Sequence, residues 1–392
     1  MTPKNESQLA EVIAGASGPL CIKGGGTKPV GGPVDGTEVS ASAITGVSLY
    51  EPGALTLVAA AGTPLAEVES LLAENRQQLP FEPMDYRGLL GTKGEPTLGG
   101  IAAANVSGPR RVAVGACRDF MIGVRFVDGR GRVVRNGGRV MKNVTGYDLV
   151  KLLAGSRGTL GVLTEIAFKV LPVAEFRAVL LVEDLTDRNA IEALSAALCS
   201  PCDVSGAAHL QKGMDGNPVT MIRLEGFENA VLDRAEKLRK ALRSFGDFEI
   251  ETDQDRTAAG WRWIRDVESF QERQGDVWRI STVPGEAPDL VERMNGNGDL
   301  EFIYDWGGGL IWALVPEGVD LRARAGAFRG HATLVRASDE TRRKISVFHP
   351  ESERIARISK SLKRQFDPRE ILNPGLTVLP LAQEGGNANQ IQ

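Results

Sequence analysis

The stretch "LCIKGGGTKP", Leu20 to Pro29, sets three consecutive glycines and a threonine directly behind a short apolar run. A glycine turn after a strand presents successive backbone N–H groups to an anion, and glycine reaches positive φ there at little cost. The two commonest nucleotide patterns do not fit. A P-loop needs G-x-x-x-x-G-K-[ST], but here Thr27 precedes Lys28. A dinucleotide fingerprint needs G-x-G-x-x-G opening a helix, but Pro29 follows at once and "VGGPVDG" (30–36) continues as loop. Nicotinamide cofactors and ATP are therefore disfavoured. What remains is an anion nest to which Thr27 adds a hydroxyl.

Before the loop, Leu9, Val12, Ile13 and Ala16 follow helical spacing. "ALTLVAAAG" (54–62) reads as a strand, and Thr63 reads as the cap of a helix with Pro64 at its first position and Leu65, Val68, Leu71 and Leu72 on its apolar face. Then come two more small-residue stretches, "PTLGGIAAANVSG" (96–108) and "GSRGTLGV" (155–162), with "GACRD" (115–119) between them. "MIGVRFVDGRGRVV" (121–134) reads as a hairpin about Asp128-Gly129. Three glycine loops in one region suit one long ligand touched at several points, and a flavin dinucleotide, with its diphosphate, adenosine and flat ring, needs such a surface.

Beyond Pro172 the pattern changes. Strand, helix and two strands, then helix and strand, run from "FRAVLLVED" (176–184) to "DFEIET" (247–252), which is the order of a ferredoxin-like unit. The order recurs from "VWRISTV" (277–283) to "GHATLVRA" (330–337), and the helical "TAAGWRWIRDVESFQ" (257–271) links the two. Two such units can join edges into one antiparallel sheet with helices on one face. The expected class is α+β, and a family resemblance carried by the glycine loops implies a two-part FAD-binding domain plus a cap. The expected divisions are 1–175 for the FAD-binding domain, 176–345 for the cap, 346–380 for a C-terminal return and 381–392 for a polar, disordered tail.

The 392 residues exceed one ordinary core, and 42% hydrophobic with 24% charged residues suits a globular enzyme. A net charge of −4 with dispersed basic residues does not suggest nucleic acid. No apolar run reaches bilayer-spanning length and the N-terminus lacks a signal core, so the expected location is cytoplasmic, at most peripheral to the membrane through a partner. Cys199 and Cys202 form a lone "CSPC" at a helix end, and Cys21 and Cys117 stand apart. Without a second pair this is not a four-cysteine metal site, and no metal is expected.

The trio "KGGGTKP", "PTLGGIAAANVSGPRRVAVGACRDFMIGVRFV" and "KNVTGYDLVKLLAGSRGTLGVLTE", with the C-terminal "FDPREILNPG", resembles the FAD-binding domain of the vanillyl-alcohol oxidase/p-cresol methylhydroxylase superfamily. Within it, the short middle region, "KNVTGYDL" and "GHATLVR" resemble the E-subunit family of bacterial glycolate oxidase. That resemblance implies an FAD-dependent oxidoreductase acting on glycolate or a similar small 2-hydroxy acid. It implies a complex with a related FAD-containing D-type subunit and an iron–sulfur F-type subunit.

Carried over residue by residue, it assigns Lys23, Gly24, Gly25, Gly26, Thr27 and Lys28 to the diphosphate loop. Thr97, Leu98, Gly99 and Gly100 line the flavin and phosphate side, continued by Ala103, Ala104, Ser107 and Gly108. Gly115, Arg118 and Asp119 match a Gly-x-x-Arg-Asp segment, in which the charged pair either touches the cofactor or forms a structural ion pair. Gly158, Gly161 and Val162 approach the adenine and ribose end, and Asn373 lies in the returning "NPG".

Many relatives attach FAD covalently through a histidine in the first half, but the histidines here are His209, His331 and His349. Non-covalent FAD is expected, with Cys117 read as a small buried residue. Related dehydrogenases carry an H-x-G-D-G-N-x-H-like element, whereas "QKGMDGNPVT" (211–220) has no histidine. The catalytic residues are therefore open. His331 is the nearest substitute, although strand alternation sets it opposite Arg336. A subunit that binds FAD and relays electrons while its partner oxidises glycolate is one expectation. A self-sufficient flavin oxidase and a non-catalytic assembly or electron-transfer module are the alternatives.

Overall fold

The computed structural model describes residues 1–138, 146–296 and 298–377. The expected tail at 381–392 and residues 142–145 of "KNVTGYDL" lie outside the described residues.

The glycine loop leaves a short strand, β1 (Leu20–Lys23), which pairs in parallel with β2 (Thr37–Ser40). Five strands then make an antiparallel sheet. They are β3 (Val47–Glu51), β4 (Thr56–Ala60), β5 (Met121–Val127), β6 (Val133–Gly137) and β7 (Val162–Lys169), in the order β3-β4-β7-β5-β6. β5 and β6 are the expected hairpin. The small-residue stretch after Pro96 folds as α1 (Leu98–Ala104), whose N-cap Thr97 accepts a hydrogen bond from the Gly100 N–H at 3.3 Å. Thr63 is not a cap. Its hydroxyl exchanges hydrogen bonds with the backbone of Gly46 (3.0 and 3.2 Å), and the helix Leu65–Ala73 starts behind Pro64 without a side-chain cap.

The chain returns at its C-terminal end. Leu20 donates to the Ile371 carbonyl (2.8 Å) and accepts from Asn373 (3.0 Å), so residues 371–373 extend the β1 edge. Asp367, fully buried, fixes that turn by accepting from the Ile371 and Leu372 N–H groups and pairing with Lys363 at 2.7 Å.

The second half holds one eight-stranded antiparallel sheet. Its strands are β8 (Phe176–Glu183), β9 (Val204–Leu210), β10 (Val219–Gly226), β11 (Glu249–Glu251), β12 (Asp276–Thr282), β13 (Glu301–Asp305), β14 (Leu310–Val315) and β15 (Gly330–Arg336), in the order β11-β8-β10-β9-β13-β14-β12-β15. Each half has the ferredoxin-like order, and the halves join through two residue pairs, His209↔Tyr304 and Leu210↔Ile303. One face packs on α2 (Asp187–Leu198), α3 (Glu228–Ala241), α5 (Ala287–Asn295) and α6 (Leu321–Ala325), with Trp278, Phe302, Tyr304 and Leu334 in that core. Between the halves runs α4 (Gln254–Arg265), which ends six residues before the expected Gln271. The other sheet face, with Leu210, Met221, Ile303, Trp312 and Val335, shares one core with the five-stranded sheet. Strand alternation thus sends one set of side chains to the helices and the other toward the glycine loops. Lastly, α7 (Glu353–Phe366) leads back to the first domain.

Candidate functional site

The glycine loop presses against the start of α1. A Cβ on Gly25 would lie 1.6 Å from the Glu95 carbonyl oxygen, and one on Gly24 would lie 2.7 Å from Thr97 Oγ1. Gly25 therefore serves a close approach of backbone to backbone, and Gly24 a close approach to the Thr97 side chain. Gly26 differs: its φ is +73° and open space lies where a side chain would be. Thr27 is buried, its carbonyl accepts from Thr92 Oγ1 (3.1 Å) and its hydroxyl accepts from Lys28 Nζ (3.1 Å). Lys23 leaves this group, because its ammonium pairs with Glu38 at 2.6 Å on the exposed side of β1.

The other expected residues divide by what surrounds them. Ala103, Ala104 and Ser107 stay partly open, and a Cβ on Gly100 would lie 3.7 Å from Lys28 Nζ. Leu98 and Val162 are core. Gly99, Gly108 and Gly161 are packed on Ala61, the Glu82 carbonyl and the Phe126 ring, so their role is close packing. Gly115 (φ +96°) precedes a turn in which Asp119 accepts from the Ala116 N–H at 2.8 Å. Arg118 and Asp119 form an exposed pair at 3.7 Å. Gly158 (φ +74°) abuts Asn373. The Asn373 side chain accepts from the Ile22 N–H (2.6 Å) and donates to the Arg157 carbonyl (2.9 Å), so its amide holds backbone together.

A row of cations connects these loops to the cap. Burial pushes the Lys28 ammonium down to about 8, with Asp85 opposing and Arg157 adding to the shift. Burial likewise lowers Arg157, whose guanidinium lies 4.9 Å from the Phe348 ring centroid; Tyr86 opposes that shift and Arg279 adds to it. Arg279, from β12, is lowered by burial against the opposing effects of Tyr86 and Asp305. Arg111 is lowered by burial, then by Arg279. Arg111 and Arg279 both lie over Trp306, at 4.6 and 5.1 Å from its ring. No carboxylate among the described residues forms an ion pair with Lys28, Arg111, Arg157 or Arg279. Half-buried cations without counter-charges make an anion site. The open Gly26 turn, Lys28 and Arg157 suit a dinucleotide diphosphate.

His331 joins the row from β15, its imidazole held down by burial, Arg279, His349 and Arg111. His331 pairs with Ser281 and Thr333 with Arg279, so all four share the sheet face turned to the first domain. Arg336 is elsewhere: a bulge at Val277/Trp278 turns it to the carbonyls of Leu89, Phe270, Arg273 and Gly275. His209 is buried on the helix side, bonded to Thr220 (2.9 Å) and Asp187 (3.3 Å). Cys117 is fully buried, and burial raises its thiol.

Arg111, Arg157 and Arg279 escape motif reading. For Arg157 and Arg279 the trace in the sequence is an arginine where neighbours call for something else: inside the glycine loop "GSRG" and mid-strand in "VWRIST".

A buried charge network holds cap and first domain in register. Arg223 is 2% exposed and grips Glu82 through two 2.9 Å bonds, with Glu225 at 3.5 Å. Burial raises the Glu225 carboxyl, but Arg223, Arg110 and Arg177 overcome it and hold it at about 2. Trp306 Nε1 donates across the same seam to the Gly108 carbonyl at 3.1 Å. Asp305, which accepts from the Trp306 N–H at 2.7 Å, is pushed up to about 7 by burial.

Residues 1–137 match the FAD binding domain family. The chain is 35% identical to the glycolate oxidase subunit GlcE of Escherichia coli (strain K12) over 362 residues, covering 91% of this chain and 92% of that protein. The chain belongs to the GlcE family. A more distant relative is the glycolate oxidase subunit GlcD of Bacillus subtilis (strain 168), 26% identical, with 66% of this chain and 54% of that protein covered. Among solved structures, the glucooligosaccharide oxidase of Acremonium strictum superposes with a TM-score of 0.68 at 12% identity, covering 97% of this chain and 90% of that one. That likeness carries the fold alone. As a GlcE-family member the chain is an FAD-dependent oxidoreductase of 2-hydroxy-acid type, on the α+β architecture the motifs foretold. Among the described residues no helix is long and apolar enough to cross a membrane.

Proposed function

We propose that the chain is the FAD-binding subunit of a multi-component glycolate dehydrogenase, working with a related D-type flavoprotein subunit and passing electrons to an iron–sulfur partner. Full-length similarity to GlcE is the observation that carries this reading, and the likeness to GlcD supports a relative as neighbour. FAD is held non-covalently: the Gly26 turn, Lys28 and Arg157 receive the diphosphate, and Ala103, Ala104 and Ser107 leave room along α1. His209 and Cys117 face away from these loops or are sealed in core, which supports the absence of a covalent link. Bound FAD would supply the acceptor for a hydride equivalent from a hydroxy acid. The rest of the work falls to the chain, which must exclude water, hold a carboxylate and offer a proton acceptor. The site of action is the cytoplasmic side of the cell membrane, reached through the partners.

The test is the visible spectrum of the chain, alone and co-purified with its D-type and iron–sulfur neighbours, before and after anaerobic glycolate. Flavin absorbance released by acid precipitation supports non-covalent FAD, and bleaching in the complex supports the assigned chemistry. A chain that never retains FAD refutes the reading. Steady oxygen consumption by the lone chain would favour a self-sufficient oxidase instead.

A further inference from the structure

Resting on the assignment of FAD to the glycine loops, we propose that Arg111 and Arg279 form a receptor on this chain for the carboxylate of a small 2-hydroxy or 2-oxo acid, with His331 facing the ligand's neighbouring oxygen. The two arginines come from opposite sides of the seam, Arg111 from the first position of the short helix Arg111–Val114 and Arg279 from β12. Both place their guanidinium carbon over Trp306, which is itself fixed at two points, by the Gly108 carbonyl and by Asp305. A guanidinium that stacks by its face keeps its in-plane N–H donors free. Neither arginine has a side-chain hydrogen bond or ion pair among the described residues, whereas Arg110 and Arg177 pair with Glu225, Arg223 with Glu82 and Arg265 with Asp266. A planar fork of donors matches a planar carboxylate.

The diphosphate does not account for this pair, since Lys28 and Arg157 already serve the glycine loop. His331 adds selectivity. It sits on the same sheet face two residues along from the partner of Arg279, and its surroundings favour the neutral ring, which can accept a hydrogen bond from a hydroxyl. The receptor therefore fits glycolate better than acetate.

The experiment uses the full chain loaded with FAD, titrated with oxalate, glycolate and acetate at constant ionic strength. Flavin absorbance and calorimetry are read in parallel. Oxalate should perturb the flavin spectrum in the wild-type chain. R279M and R111M should each weaken oxalate binding about tenfold or more while retaining FAD, and R279K should fall between, because it keeps the charge but loses the fork. H331A should erase the preference for glycolate over acetate. Wild-type protein that keeps FAD and ignores oxalate overturns the inference and leaves the FAD assignment standing. Equal oxalate binding by wild type and both methionine variants also overturns it, as does loss of FAD from R279M or R111M, which would place those arginines on the cofactor. Should R279M fail to fold, R111M and R279K decide. A wild-type chain without FAD refutes the underlying assignment, and calorimetry then reads oxalate on its own.

Discussion

Replacing Lys28 with methionine should stabilise the FAD-free chain and weaken its hold on FAD. Burial holds the folded-state ammonium at about 8 against 10.5 for a solvated lysine. Between those values the unfolded chain binds the proton and the folded chain does not, so stability rises with pH from 8 toward 10.5. Below pH 8 the penalty is complete, and at about 1.4 kcal/mol per pH unit it reaches at most about 3 kcal/mol. Methionine keeps the stem and removes the charge. Urea unfolding at pH 7 should show K28M more stable than wild type by a sizeable part of that figure, and the pH-dependent rise should vanish. A bound diphosphate reverses the balance by stabilising the ammonium. At pH 9 about one lysine in ten is protonated, so wild-type affinity for FAD should be roughly tenfold weaker than at pH 7. Calorimetry in buffers of different ionisation enthalpy should show proton uptake on binding. K28M should show weaker binding at pH 7 and no slope. A K28M chain no more stable than wild type, or wild-type FAD affinity that is flat from pH 7 to 9, would show that Lys28 is not a buried charge held for a diphosphate.

Glu225, held at about 2 rather than 4.5, contributes stability that is complete above pH 4.5 and is lost as pH falls through 2, about 3 kcal/mol in all. Acid unfolding of E225Q should lack that portion of the pH slope. R223M, which leaves Glu82 and Glu225 buried without their shared partner, should cost about 3–5 kcal/mol by urea unfolding. G25A should lose FAD, because its Cβ would meet the Glu95 carbonyl and displace the loop. G26A, with open space but positive φ, should cost only about 1–2 kcal/mol in thermal unfolding. N373A should lose about 1–3 kcal/mol from its backbone bonds to Ile22 and Arg157, and bind FAD more weakly by equilibrium dialysis.

The architecture was largely legible because its signals are local. Strand alternation and the doubled strand–helix order announced the eight-stranded sheet, and the glycine loops announced the flavin fold. The site was less legible, for two physical reasons. Glycines at 25, 99, 108 and 161 look like ligand cradles in sequence, but the close approaches they permit are to protein backbone and side chains. Conversely, Arg111, Arg157 and Arg279 carry no motif. Their meaning depends on whether a carboxylate lies nearby, and that is decided by residues hundreds of positions away. Asn373 shows the same gap: the motif foretold its place beside the first domain, but its amide binds backbone. Thr63 follows the N-cap composition rule, yet Gly46 claims its hydroxyl.

The bridge between β1 and residues 371–373 has a consequence for how the molecule is made. Leu20 emerges from the ribosome early, but its partners Ile371 and Asn373 are translated some 350 residues later. The glycine-loop strand must wait, one edge unpaired, while the whole cap is synthesised. The cap, by contrast, has all its strands contiguous in the chain, so it can collapse as a unit before the first domain is closed. Because the cap then spans the loop between Leu20 and Leu372, its folding brings the distant ends together and lowers the entropy cost of that final closure. The cofactor loop's strand can therefore gain its second neighbour only after residues 371–373 have been made.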